Sequence, residues 1–183
     1  MNIFVLHEDP KIAAQMHCDK HVPKMIVESA QMLSTAHRLL DGKEYMAPSK
    51  SGKRMVKHYR LPKHDVVIYK AVHAKHPCTI WTMQSHNNYL WHYHLWRHLA
   101  EEFEYRFGKI HASWEKLKDI LYDTPQNLVY GDMTPFAKAM KAYPDLMEIA
   151  DPVKAYQEFY KVDKIKFAKW EKGRPAPKWW NDK

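Results

Sequence analysis

Apolar residues first gather in Ile3-Phe4-Val5-Leu6, a run that reads equally as a buried strand or an extended lead-in. Asp9-Pro10 then has the form of a helix cap followed by proline at the first helical position, and Asp41-Gly42 the form of the matching stop. In a helix between those limits, at about 100° per residue, Val22, Met25, Ile26, Leu33, Ala36 and Leu40 share a face that should dock on a core. His17, His21, Lys24, Glu28, Gln31 and Thr35 fall in a second, narrow arc. The pattern predicts a polar stripe at the rim of the core or inside a cleft, although Lys-Glu pairs four apart are also ordinary on solvated helices. Pro23 interrupts the stripe and marks either a kink that frees backbone groups or a junction between two helices.

Residues 42–64 change character. Lys43, Lys50, Lys53, Arg54, Lys57, Arg60 and Lys63 oppose only Glu44, with Tyr45, His58 and Tyr59 interleaved. Such a basic loop suits contact with nucleic-acid phosphates, because each Lys or Arg paired with a phosphate releases condensed counterions; the plainer alternative is a solvated flexible loop. Asp65 to His73 has helical spacing, ended by Lys75-His76-Pro77. From Pro77 to about Phe107 the spacing predicts one long helix with Trp81, Asn88, Leu95, Glu102 and Arg106 on one face. Glu102 and Arg106 there form either a buried ion pair or part of the cleft.

A further helix runs to about Tyr122, followed by an irregular stretch holding Pro125, Gly131, Pro135 and Pro144. Asp151-Pro152 opens a last helix with Val153, Tyr156, Phe159, Tyr160, Ile165 and Phe167 as apolar surface. The basic aromatic tail, residues 171–183, offers Trp179 and Trp180 for stacking on bases, but pinning of the tail to the domain is the commoner use.

Composition narrows the classes. At 183 residues and 45% hydrophobic, the chain can bury a substantial core and reads as one compact, mainly α domain over residues 1–183, with a short extended N-terminal segment. A formal charge of +8 favours an anionic partner, of which nucleic acid is the commonest. No apolar run spans a bilayer and the N-terminus lacks the features of a signal peptide, so a cytoplasmic protein with no membrane partner is expected. Cys18 and Cys78 read as free thiols. His94 and His98 have the spacing of a metal pair, as His17 and His21 do, but no HExxH or finger spacing accompanies them; neither metal nor cofactor is expected.

The stretches FVLHEDP from Phe4, DKHVPKMIVESAQML from Asp19, HPCTIW from His76 and EYRFGKIH from Glu104 resemble a group of small proteins encoded by tailed phages. More distantly, the order of elements is similar to the pyrimidine-dimer DNA glycosylases of the endonuclease V type. The basic, polar, proline and basic positions of the first long helix there match Lys20, His21, Pro23 and Lys24, and a His-Pro-x-x-x-Trp element matches His76, Pro77 and Trp81. That resemblance implies an endonuclease V-like helical domain whose own α-amine attacks the sugar of a damaged nucleotide, assisted by a carboxylate on the helix. An α-amine, with an ordinary pKa near 8, is sufficiently neutral to be a nucleophile. His21 stands at the position of the helical carboxylate, and Glu28 further along is the alternative carrier.

The expectation is therefore a phage DNA-processing enzyme of the infected host's cytoplasm, a glycosylase or glycosylase/lyase acting on a damaged or modified base. His21, Glu28 and Met1 are its candidate catalytic residues. Lys20, Lys24, Gln31, Arg54, Lys57, His76, Trp81, Arg106, Lys109 and His111 are candidates for holding nucleic acid, with Trp81 or a tyrosine stacking on an exposed base. A non-catalytic nucleic-acid-binding protein, for DNA or RNA, and a base- or nucleotide-modifying enzyme that binds a free nucleotide are the alternatives. The sequence leaves the oligomeric state open.

Overall fold

The computed structural model describes residues 1–49 and 51–181. Lys50 of the basic segment and Asp182 and Lys183 of the tail lie outside the described residues. The fold is mainly helical, with eight helices and one two-stranded sheet among the described residues.

Asp9 caps the first helix, its Oδ1 accepting from the Lys11 and Ile12 amides, and Pro10 occupies the first turn of α1, Pro10–Met16. The predicted continuation to Asp41 is interrupted: His17 is extended, and α2, His21–Asp41, starts afresh with the His21 and Val22 amides bonded to the Cys18 carbonyl. Pro23 thus lies in a first turn, where amides have no intrahelical acceptor, and it marks the junction rather than a kink. Gly42 ends α2 at a close approach, because a Cβ there would sit 2.3 Å from the Arg38 carbonyl oxygen.

The basic segment is a hairpin rather than a loop. Strands β1, Lys43–Pro48, and β2, Met55–Arg60, pair antiparallel from Lys43 opposite Arg60 to Pro48 opposite Met55. The helix expected over Asp65 to His73 does not form, because Arg38 competes for its backbone. The buried Arg38 guanidinium donates to the carbonyls of Tyr59, Asp65, Ile68 and Tyr69 and to Asp65 Oδ1. Thr35 Oγ1 then accepts from the Val72 amide, so residues 65–76 run back along α2 as an irregular strap.

The long helix predicted from Pro77 breaks at the extended Ser85, whose Oγ caps the next helix at Asn88. The result is α3, Pro77–Gln84, and α4, His86–Phe107, closed by Gly108 in the left-handed region at φ 67°. Four helices follow: α5, Ala112–Tyr122; α6, Pro144–Met147; α7, Pro152–Asp163; and α8, Lys178–Asn181. The last predicted helix therefore stops short of Ile165 and Phe167.

Helices α1 and α2 pack on α4, with Trp96 of α4 donating to the Ile26 carbonyl. Ile3 to Leu6 are buried and make no strand pairing, the Leu6 amide turning back to the Phe4 carbonyl, and Phe4 lies among Tyr156, Phe159 and Tyr160 of α7. Trp170 and Trp179 bind the carbonyl and sulfur of Met16, which pins the tail as expected. Both cysteines are free and buried. Among the described residues no helix is long and apolar enough to cross a membrane.

Candidate active site

The N-terminal residues are held in place from the far end of the chain. Asn2 is buried; its Nδ2 donates to the Ala139 carbonyl and its Oδ1 accepts from the Tyr156 hydroxyl at 2.8 Å. Asn2 N–H in turn donates to Glu28 Oε2 at 2.8 Å. This brings the Met1 amine to 3.7 Å from the same carboxylate oxygen, while Lys24 Nζ stands 3.7 Å from Oε1. The Met1 side chain is 4% exposed although the residue as a whole is only partly buried, so what it presents to solvent is main chain.

His76 completes the group. It caps α3, its Nδ1 accepting from the Cys78 amide at 3.2 Å. Burial, and then the Met1 amine beside it, hold its pKa below the usual imidazole value, with Glu28 pulling weakly the other way. At neutral pH it is an uncharged imidazole whose Nδ1 is occupied as an acceptor, which places its hydrogen on Nε2. His73, exposed and in the left-handed region at φ 49°, adds a second imidazole nearby. An amine, a carboxylate, a neutral imidazole and a lysine converge here. Together they can attack an electrophilic carbon, receive the displaced proton and pair with an anion.

The remaining sequence candidates are dispersed. Gln31 is half-buried one turn past Glu28, with its carbonyl taken by Thr35 Oγ1. Lys20 is exposed, its ammonium 4.7 Å from the Phe167 ring. His21 departs from the solvent-facing catalytic role read for it. It is 1% exposed, stacked on Phe4 and bonded to the Tyr160 hydroxyl, and burial drives its pKa down to about 2. Trp81 cannot stack on a base, because its ring is buried against Trp91 and Phe136 and its Nε1 donates to the Thr134 carbonyl.

Arg106, read as a phosphate ligand, has a fully buried side chain. Four of its five N–H donors go to Glu102, Asp19 and the carbonyls of Gln15 and His17, and burial keeps the group from an outside phosphate. His111 caps α5 through the Ser113 amide, and Lys109 is exposed beside the Phe103 ring. Arg54 and Lys57 are exposed on the hairpin, with Lys57 paired to Glu44 at 2.9 Å.

Sequence reasoning missed Asn2 and the strap of residues 65–76. The strap carries exposed Lys70, His73 and Lys75 between the hairpin and Met1, and the two lysines were the available signal. Among the described residues no group of three or more His, Cys, Asp or Glu side chains is placed to hold a metal ion. No family model, curated protein or solved structure matches the chain.

Proposed function

We propose that the protein is a DNA-processing enzyme, a glycosylase/lyase acting on a damaged or modified base. The observation that carries this reading is the Met1 amine set against Glu28, with Lys24 and the neutral His76 beside it. The endonuclease V-like resemblance, and the phage origin implied by the resemblance to tailed-phage proteins, belong to the same proposal.

In this mechanism the neutral amine attacks C1′ of the target nucleotide. The new C–N bond forms as the glycosidic bond breaks, and the base departs with the electron pair and takes up a proton. Glu28 accepts a proton from the amine nitrogen and delivers it to O4′ as the sugar ring opens to an imine. Glu28, once more a carboxylate, then takes a C2′ proton as the 3′ phosphate is expelled, and water releases the amine. Lys24 pairs with a flanking phosphate, and the exposed cations of the strap and hairpin hold the rest of the backbone.

A second reading, a non-catalytic nucleic-acid-binding protein, is favoured by one observation: Glu28 also accepts the Asn2 amide and so helps to anchor the N-terminus. Borohydride trapping on duplexes carrying abasic, ultraviolet-damaged or phage-modified bases separates the two, with strand cleavage scored in parallel. A covalent adduct mapped to Met1 by mass spectrometry is the expected result. Binding with neither adduct nor cleavage on any substrate would overturn the lyase reading and leave the binding protein.

A further inference from the structure

A cavity of about 470 Å3 opens between the hairpin and residues 65–71, with Lys116 of α5 also in its lining. Arg38 lines it too, ten residues from Glu28, which is roughly 15 Å along α2 at 1.5 Å per residue. The cavity is thus separate from the Met1 amine, and nothing proposed for it depends on the amine's chemistry.

Its lining has three properties that together specify a ligand. First, it is aromatic: Tyr45 and His58 face each other across the hairpin with rings 5.5 Å apart, and Tyr59 and Tyr69 line it as well. Second, its uncompensated charge is positive. Asp65 is the carboxylate in the lining, and the Leu61 amide and the Arg38 guanidinium hold its carboxyl below the usual range. Lys57 is neutralised by Glu44, whereas Lys70 and Lys116 make no ion pair among the described residues; Lys116 Nζ sits 5.5 Å from the Tyr69 ring centroid. Third, it holds an unsatisfied polar atom. His58 Nε2 is buried without a hydrogen-bond partner among the described residues, a condition folded proteins avoid unless something else completes it.

We propose that this cavity is a binding site for one unpaired nucleotide. The base lies against the tyrosine rings and within reach of His58, and the phosphate is held by Lys70 and Lys116. The volume is in the range of small-molecule sites, about 300–1,000 Å3, and admits a single nucleotide but not a base pair with its backbones. Stacking supplies affinity without demanding a particular base, as in single-strand binding. The nucleotide comes either free from solution or as part of an unpaired strand, and both present the same ring and phosphate.

Calorimetric titration of the full chain tests this. The probes are a 5′-deoxynucleoside monophosphate, the matching nucleoside, inorganic phosphate and a short single-stranded oligodeoxynucleotide. Either the monophosphate or the oligonucleotide should bind saturably, and more tightly than nucleoside or phosphate by roughly tenfold or more. Lys70→Glu with Lys116→Glu should weaken it by a similar factor, and His58→Phe should weaken it while keeping the ring. The charge-matched control, Lys154→Glu with Lys172→Glu on exposed positions elsewhere, should change it far less. Tight binding of the monophosphate identifies a free-nucleotide site; binding of the oligonucleotide alone identifies a site for an unpaired strand.

The proposal is overturned if no probe saturates, if phosphate alone binds as tightly as the nucleotide, or if both double variants lose binding equally. Glu28→Gln should leave this binding intact. Failure of the cavity and failure of the lyase reaction are therefore read out separately.

Discussion

Glu28 and Glu102 each meet a cation on the inner side of a long helix, yet their surroundings differ in what is left over. Glu102 takes Arg106 Nε at 3.0 Å and Arg174 Nη2 at 2.6 Å, and the other donors of Arg106 are consumed by Asp19 and two carbonyls. Glu28 is bonded to the Asn2 amide, but the Met1 amine and Lys24 both stand off at 3.7 Å and the Lys24 side chain is 59% exposed. The first arrangement has no bonding capacity to spend on a ligand and contributes rigidity. In the second, the amine and the exposed Lys24 pair with the carboxylate beyond hydrogen-bond length, which leaves bonding capacity that the first lacks.

Acid should break this contrast most strongly. Burial holds His17 and His37 down to about 4, His92 to about 3 and His21 to about 2. Each is neutral when folded, while the unfolded chain takes up protons below about pH 6.5. Stability is therefore full above that pH and falls through the window down to the folded values. The loss is about 1.4 kcal/mol per pH unit per histidine, so that over these histidines together the fall from about pH 6.5 to 4 approaches the whole stability of an ordinary domain. Denaturant midpoints measured from pH 7 to 4 should drop steeply; a flat profile would mean that these imidazoles charge without cost.

Arg106→Met comes next, because it leaves Asp19 without its arginine, the carbonyls of Gln15 and His17 without a donor, and Glu102 with Arg174 alone. A loss of about 3–5 kcal/mol is expected from chemical denaturation. Glu28→Gln should do the reverse: stability within about 1 kcal/mol of the parent, but trapping slowed by roughly 100-fold or more. If Glu28→Gln unfolds the protein as Arg106→Met does, the two carboxylates are alike and the contrast is lost. Smallest is Lys24→Ala, with a stability change of about 0–1 kcal/mol. The slope of log DNA affinity against log salt should fall by about one.

How much of this was legible depended on range. Asp9-Pro10, Asp151-Pro152 and Gly42 act on their own neighbours, and the helix ends they mark are where the spacing put them. Ser85 breaks a helix through one side-chain cap, and the surrounding apolar spacing conceals it. Arg38 cannot be read locally at all, since its effect is to draw carbonyls 27 to 31 residues away out of a helix-forming stretch. Helical periodicity set His21, Lys24 and Glu28 on one stripe, but it gives an angle and not a cover. Tyr160, Phe4 and Phe167 close over His21, whereas the N-terminus lies against Glu28.

The anchoring of Asn2 has a consequence in time. Its partner Tyr156 is 154 residues downstream, and Phe4 waits for the same helix. Contacts so distant in sequence form late. At synthesis rates of about 5–20 residues per second, roughly 8–30 s separate the two residues on the ribosome. A nascent chain thus carries its amine unseated until α7 has emerged. The order of translation itself delays the seating of the N-terminus until the chain is nearly whole.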